Sequence, residues 1–506
     1  MVQASLNNRL ARFTLYAENV RRVILDYAAD NPSHPASQVI TASAMVETRY
    51  LFPNLQEMEV YRVRSSSLQI VLKLVAPTLT HVSLNPRGSW GACGEGTYGW
   101  TPQEHSLCLA AILQRIGTAN CRLRCFKLRD FPDVQTRYQY ELTDVISVSD
   151  WIFALVPSLP SLMALTVHKA SAFKPNEVAN SARLAKLVHI ETGCFTSLRS
   201  IDVSGSCQNA LDLLSTIGGP LELVTLSHST IHDISEIAQI VHTNLDVEMT
   251  PDLEVPILAK VAECVAQFSD SLEEFKLLGP YSQSGAHLPL PWEVFEPLLH
   301  CHKLVSLSIC LQWWGDLFIQ DEDITRLAHV LPQLRTLRIW TTVYPEEDAS
   351  IERYLDLKPA PFSLSCHSAF ATSCPNIQLI SLTGFDATGN RFILPDVDPK
   401  PVSQQVVHLA LRAAPLNWPP CVALYLQTLF PNAVLLPRYS ALDAGYSENK
   451  PFVPAWDLVA ALMRYHRAAV LVEQGKASAE DAFEKNDVPL RGGSRRMRIA
   501  DMPPLV

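Results

Sequence analysis

Three groups of residues have types and spacings that could do chemistry. The stretch GEGTYG, Gly94 to Gly99, matches the GxGxxG of a dinucleotide-binding turn. In such a turn glycines let the backbone approach a pyrophosphate that faces a helix N-terminus. The stretch lies between the strand-like HVSL and a helix opening at Thr101, and Asp130 ends the next strand-like run. In a dinucleotide site the strand runs straight into the first glycine and the helix starts inside the motif. Here about ten residues intervene, and the helix carries its own start: Thr101, Pro102 at the first helical position and Glu104 in a capping box. The spacing therefore favours a loop between structural repeats. A nucleotide- or dinucleotide-dependent enzyme using the Gly-rich loop at Gly88–Gly99 is the second reading.

His105, Cys108, Cys121 and Cys125 have spacings that zinc could use. Cys108, however, falls on the apolar side of an amphipathic pattern and Cys125 inside a strand-like run, which suits buried thiols better than ligands. His300 and His302 flank Cys301 just before another strand-like run and are expected in a solvated turn. No GxSxG elbow, HExxH helix or GK[ST] phosphate loop occurs. The expectation is no catalytic residue, metal or cofactor. Trp313 and Trp314, adjacent in LQWWGDLFIQDED, are of another kind: an aromatic pair beside a strand end that could pack under a loop or anchor a partner.

The elements that must position these residues repeat. In LPQLRTLRIW, Leu334, Leu337 and Ile339 are apolar at spacings of three and two, and Pro332 stands two places ahead. The same unit recurs in FPNLQEMEVY, APTLTHVSLN, LPSLMALTVH and CPNIQLISLT, with Pro53, Pro77, Pro160 and Pro375 at the same offset. Versions without that proline are ENVRRVILDY, CRLRCFKLRD, FTSLRSIDVSG, GPLELVTLSH, SDSLEEFKLLG, CHKLVSLSIC and QQVVHLALR. First apolar positions fall at 20, 55, 79, 123, 162, 198, 221, 272, 304, 334, 377 and 406, in steps from 23 to 51 residues. The bare pattern would match by chance in about one window in thirty; the shared proline and the helical segments between units set it apart. VPILAKVAECVAQFSD places Ile257, Val261, Cys264, Val265 and Phe268 on one side of a helix. DEDITRLAHVLP puts acids at the positive end of another.

The last two apolar residues of each unit are two apart, so they point the same way from a short strand, and the first turns in before it. One such module cannot bury its own apolar face, but a row of them can. The expected fold is α/β: an irregular leucine-rich-repeat-like solenoid over residues 1–440, with a parallel concave sheet and outer helices. PAWDLVAALMRYHRAAVLVEQ, with Leu458, Leu462, Tyr465 and Ala469 on one stripe, is expected as a C-terminal helical cap within 441–485. Residues 486–506 are expected as a mobile tail.

Side chains at the second, fourth and sixth places after each first position face the open side of the sheet. They include Arg22 and Asp26; Glu57, Glu59 and Tyr61; His81 and Asn85; Lys127 and Arg129; His168; Asp202; Glu274 and Lys276; Arg338 and Trp340. Mixed charges with aromatics suit protein recognition better than a phosphate backbone. A formal net charge of −10 argues against a nucleic-acid binder. No run of eighteen apolar residues is present, so no membrane partner is expected. Twelve scattered cysteines fit reduced thiols in the cytoplasm or nucleus.

The units FPNLQEMEVY and LPQLRTLRIW at irregular steps, and the opening ARFTLYAENVRRVILDY, resemble fungal F-box and leucine-rich-repeat proteins over about residues 9 to 436. The resemblance implies that the repeats hold a protein substrate for ubiquitin-dependent degradation while an F-box binds the Skp adaptor. No LPxE-type helical motif precedes the region of resemblance, so adaptor binding is expected only if an F-box lies upstream of this chain.

Overall fold

Most strands are entered through one kind of tight turn. The Leu55 N–H donates to Phe52 O at 3.2 Å. The same bond joins Leu79 to Ala76 (3.0 Å), Leu162 to Leu159 (3.0 Å), Leu304 to Cys301 (2.9 Å), Leu334 to Leu331 (3.1 Å) and Ile377 to Cys374 (3.1 Å). Proline presets φ near −65° for the second residue of such a turn, a place where its missing N–H is not needed. Pro53, Pro77, Pro160, Pro332 and Pro375 all occupy that place.

The structure is a computed structural model. It describes residues 16–26, 50–61, 68–85, 111–128, 159–167, 195–204, 207–227, 254–278, 290–311, 317–341, 362–382, 385–386, 406–411, 416, 418–436, 453–476 and 478. The chain divides into two compact units, Met1–Ser284 and Gly285–Val506. In the first, eight strands follow one another in chain order, each parallel to the last. They are β1 (Arg22–Asp26), β2 (Glu57–Tyr61), β3 (His81–Asn85), β4 (Cys125–Leu128), β5 (Ala164–Val167), β6 (Ser200–Ser204), β7 (Leu223–Ser227) and β8 (Glu274–Leu278). In the second unit the same holds for β10 (Ser306–Leu311), β12 (Thr336–Thr341), β14 (Leu379–Leu382), β16 (His408–Leu411) and β17 (Val434–Leu435). Two short parallel pairs add to that unit: β9 (Leu290–Pro291) with β11 (Leu317–Phe318), and β13 (Phe362–Ser363) with β15 (Phe385–Asp386). β17 escaped the repeat pattern because its FPNAVLL keeps the proline turn, with Ala433 N–H on Phe430 O at 2.9 Å, while its strand is only two residues long.

One backbone contact recurs between successive modules. The carbonyl just before most of the strands accepts two consecutive N–H groups from the next module, while Gln378 O and Val407 O each accept one, from His408 and Val434. Arg21 O takes Gln56 and Glu57 (2.8 and 2.9 Å), and Gln56 O takes Thr80 and His81 (2.8 and 3.0 Å). Thr80 O, Arg124 O, Met163 O, Arg199 O and Glu222 O continue the series to Glu273 and Glu274. In the second unit Val305 O takes Arg335 and Thr336, and Arg335 O takes Gln378 and Leu379. This ladder fixes register, so like positions stand opposite like positions. Met58, Val82, Phe126, Leu165, Ile201, Val224 and Phe275 form one continuous row, and Val60, Leu84, Leu128, Val167, Val203, Leu226 and Leu277 another.

Those rows are buried, together with the entering residues Leu55, Leu79, Leu123, Leu162, Leu198, Leu221 and Leu272. Each such side chain contributes roughly 1.5–3 kcal/mol. At the twelfth position the order shifts: Val406 is exposed and Val407 buried. Counted back from the Leu379–His408 pair, Val406 is the counterpart of Ile377, but Val407 is the side chain that is buried.

Among the described residues, helices lie between several of the strands and after the last. They are α1 (Leu68–Leu74), a helical stretch at 111–118, α2 (Cys207–Thr216), α3 (Glu254–Ala266), α4 (Asp321–Val330), α5 (His367–Ser373), α6 (Pro419–Leu429) and α7 (Val453–Glu473). α3 buries Leu258, Val261, Ala262 and Val265, with Cys264 only half-buried. α4 is closed by a capping box in which Gln320 N–H donates to Asp323 Oδ2 at 2.9 Å. α7 packs on α6. α7 buries Trp456, Val459, Leu462, Met463 and Ala468, so of the expected stripe only Leu462 is buried.

Gly219 shows how closely modules approach. A Cβ there would lie 2.6 Å from the carbonyl oxygens of both Phe195 and Thr196 in the preceding turn. Gly219→Ala is therefore expected to lower the unfolding free energy by about 1–3 kcal/mol, and Leu79→Ala, which opens a cavity between three modules, by about 2–5 kcal/mol. Chemical denaturation measures both. A neutral Gly219→Ala would contradict the close approach.

Candidate protein-binding surface

Because strand residues alternate sides, burying Met58 and Val60 turns Glu57, Glu59 and Tyr61 to the opposite face. Register then assembles this face row by row. One row of the first unit runs Arg22, Glu57, His81, Cys125, Ala164, Ser200, Leu223, Glu274. The next runs Ile24, Glu59, Ser83, Lys127, Thr166, Asp202, Thr225, Lys276. Asp26, Tyr61 and Asn85 hold a third. In the second unit the rows are Ser306, Thr336, Leu379, His408 and Ser308, Arg338, Ser381, Ala410, with Cys310 opposite Trp340.

Of the residues expected on this face, Arg22, Glu57, Glu59, Tyr61, His81, Lys127, Asp202, Glu274, Lys276 and Arg338 take open-face positions, and the backbone of Trp340 pairs in register with Cys310. Arg129, His168, Trp313, Trp314 and the Gly88–Gly99 loop lie outside the described residues, as do His105 and Cys108.

Several charges are already paired across the strands. Arg22 Nη2 donates to Glu59 Oε1 at 2.6 Å, and its Nε lies 3.5 Å from Glu57 Oε2. Tyr61 OH donates to Glu59 Oε2 at 3.2 Å. The hydrogen bond to Glu59 holds the Arg22 guanidinium more firmly protonated than usual. Lys276 Nζ lies 2.8 Å from Glu274 Oε2 on the same strand. Such exposed pairs order side chains more than they stabilise a fold. Between them, β5 to β7 present the small or neutral Ala164, Thr166, Ser200, Leu223 and Thr225 beside Asp202. Charged residues thus lie to either side of a stretch that carries one charge, Asp202.

A second group of chemically capable residues is absent from the repeat pattern. Asp321, at the first turn of α4, accepts from Ser363 N–H (2.7 Å), Ser363 Oγ (2.6 Å) and Ser365 Oγ (3.2 Å). Next to it, Cys366 Sγ lies 3.6 Å from His367 Nδ1, and Tyr425 OH donates to Ser365 O at 3.3 Å. Serine, cysteine, histidine and aspartate in one place invite a catalytic reading, and the electrostatics oppose it. A nucleophilic cysteine needs a depressed pKa and a basic neighbour. Burial instead pushes the Cys366 thiol well up and the His367 imidazole down to about 4. His367 Nδ1 is also 3.0 Å from Leu364 O, which makes it the donor there and leaves it unable to accept the thiol proton. The group is a polar clasp between modules 42 residues apart in sequence. Only that long separation, not spacing, could have hidden it.

Three further thiols on or beside the buried rows are held protonated in the same way. Burial raises Cys121 and Cys301 to about 11 and Cys374 to about 12. Cys121 Sγ donates to Ala76 O at 3.3 Å. Among the described residues no group of three or more His, Cys, Asp or Glu could hold a metal ion, and no helix is long and apolar enough to cross a membrane. No protein-family model matches the chain, and no curated protein matches its sequence.

The buried His367 has a measurable consequence. Its folded pKa of about 4 lies below the unfolded value of 6.5. The unfolded chain therefore binds a proton first, and stability that is complete above pH 6.5 is lost as pH falls toward 4. The loss is about 3 kcal/mol for that window. His367→Asn removes the titration, so the stability gap between wild type and variant is expected to narrow from pH 7 to pH 4.5. A gap of constant size would contradict a buried neutral imidazole.

Proposed function

We propose that this chain is a non-enzymatic protein-interaction scaffold, an irregular leucine-rich-repeat-like solenoid that holds a protein partner on the open face of its parallel strands. One observation carries the reading. Strands in unbroken register present rows of side chains from successive modules, spaced by about 4.8 Å, so many weak polar contacts can be offered to a single partner at once. The mixture of paired charges, hydroxyls and an aromatic is the composition of a protein-binding surface rather than of a nucleic-acid one. Among the described residues, burial disfavours the charged forms of Cys366 and His367, which supports binding over reaction at that place.

The repeat units resemble those of fungal F-box and leucine-rich-repeat proteins. On that resemblance the partner is a substrate destined for ubiquitin-dependent degradation, in the cytoplasm or nucleus. A Skp-type adaptor would be engaged through an F-box, a module separate from these repeats.

The test uses a photo-crosslinking residue at Ser83 or Thr225 on the open face, with Lys260, exposed on α3, as the control. Discrete crosslinked products are expected from the two face positions, and the double variant Arg22→Glu with Lys127→Glu is expected to weaken capture at least about tenfold, or roughly 1.4 kcal/mol. Crosslinking from Lys260 alone would overturn the reading.

A further inference from the structure

The first strand is an edge with one side open. Among the described residues β1 pairs only with β2. Arg21 O bonds to Gln56 and Glu57, and backbone groups alternate sides along a strand. The N–H and C=O of Arg22, Ile24 and Asp26 therefore point away from β2. The strand pairs along its whole length without a bulge, and RVILD holds neither proline nor lysine, so none of those devices blunts this edge. At the other end of the strand order β17 is blunted by its length of two residues. The apolar side of β1 is also unfinished. Val20, Val23 and Leu25 are half-buried, while their counterparts Leu55, Met58 and Val60 are at most 1% exposed. Ile24, on the open face, is 54% exposed. The end module of a stacked row needs a cover.

The order of residues in β1 says what kind of strand fits. Two copies of RVILD run in opposite directions match when centred on Ile24. Arg22 then stands opposite Asp26, Val23 opposite Leu25, and Ile24 opposite itself. In that register Arg22, Ile24 and Asp26 are the hydrogen-bonded positions, each donating to and accepting from its opposite. They are the same residues whose backbone groups are turned outward. A shift of one place would set outward groups against inward ones. A shift of two would put Arg22 or Asp26 opposite Ile24 and leave base and acid unmatched.

We propose that β1 is a homodimer contact, in which it pairs antiparallel and two-fold with the β1 of a second copy and joins the two sheets edge to edge. Opposite charges and apolar side chains standing directly across from each other both favour antiparallel strands. Arg22 already holds Glu59 through Nη2, and a guanidinium has donors to spare for Asp26 of the second copy. On the other side of the sheet Val23 and Leu25 gain the neighbours that β2 to β8 already have. A contact of this symmetry closes at two copies instead of growing into a fibre.

Sedimentation velocity on the full chain tests this over a concentration series. The wild type is expected to move toward twice the monomer mass as concentration rises. Ile24→Pro removes the central outward N–H and spares the bonds of Val23 and Leu25 to β2, so this variant is expected to stay monomeric. Arg22→Asp or Asp26→Arg alone sets like charges opposite each other and is expected to raise the dissociation constant at least about tenfold. The two exchanges together are expected to bring it back. Under mild oxidation Ile24→Cys is expected to link two copies, because directly opposed Cα atoms lie about 5.5 Å apart. Glu59→Cys is not, since its copies would be three strand spacings, or about 14 Å, apart. A monomer at every concentration would overturn the proposal. So would a dimer that survives Ile24→Pro, links as readily through Glu59→Cys as through Ile24→Cys, or is not restored by the double charge exchange.

Discussion

A single carbonyl oxygen shared by two N–H groups of the following module is the contact on which the rest depends. Each module is too small to bury Leu, Met or Val side chains on its own. It becomes stable only when its neighbours lie at one fixed register. Arg21 O, Gln56 O, Thr80 O and their successors impose that register just before each strand begins. A slip of one residue would turn Met58 and Val60 outward and Glu57 and Glu59 into the core. Hydrophobic burial and backbone geometry thus select the same alignment.

The two faces follow from that alignment. Inside, identical positions stack into continuous apolar rows beneath the helices. Outside, successive modules contribute side chains to common rows without any further contact being needed to hold them there. Backbone bonds and the core position the open face, so its side chains can vary while the strands stay in place. This is how steps of 23 to 51 residues are compatible with regular strand rows within each unit: the extra length falls between strands, not within them. Side chains in the turns reinforce the joints. Thr78 Oγ1 lies 2.8 Å from Leu55 O, and Ser271 Oγ 2.7 Å from Leu221 O, equivalent positions in different modules.

Much of this architecture is legible in the sequence, because the physics is local and periodic. A proline, two polar residues and an apolar residue describe a turn, and spacings of three and two describe which side chains enter the core. The pattern placed twelve strands and, among the described residues, the alternation that sets Glu57 and Glu59 opposite Met58 and Val60. It placed Val406 wrongly, since adjacent valines offer the same hydrophobicity and only the packing chooses Val407. β17 was passed over because two residues are too few to show alternation. The charge pattern gave Arg22, Glu57 and Glu59 as separate surface groups, whereas their mutual pairing needs the register of two strands. The clasp of Asp321 with Ser363 and Ser365 left no trace, because contacts across more than forty residues obey no spacing rule.

Amide hydrogen exchange tests the central claim most directly. If neighbouring modules shield one another through a common register, Leu198→Ala should accelerate exchange in β5 and β7 as well as in β6, with the effect fading toward β1. Acceleration confined to β6 would show that modules hold their structure independently and would contradict the account.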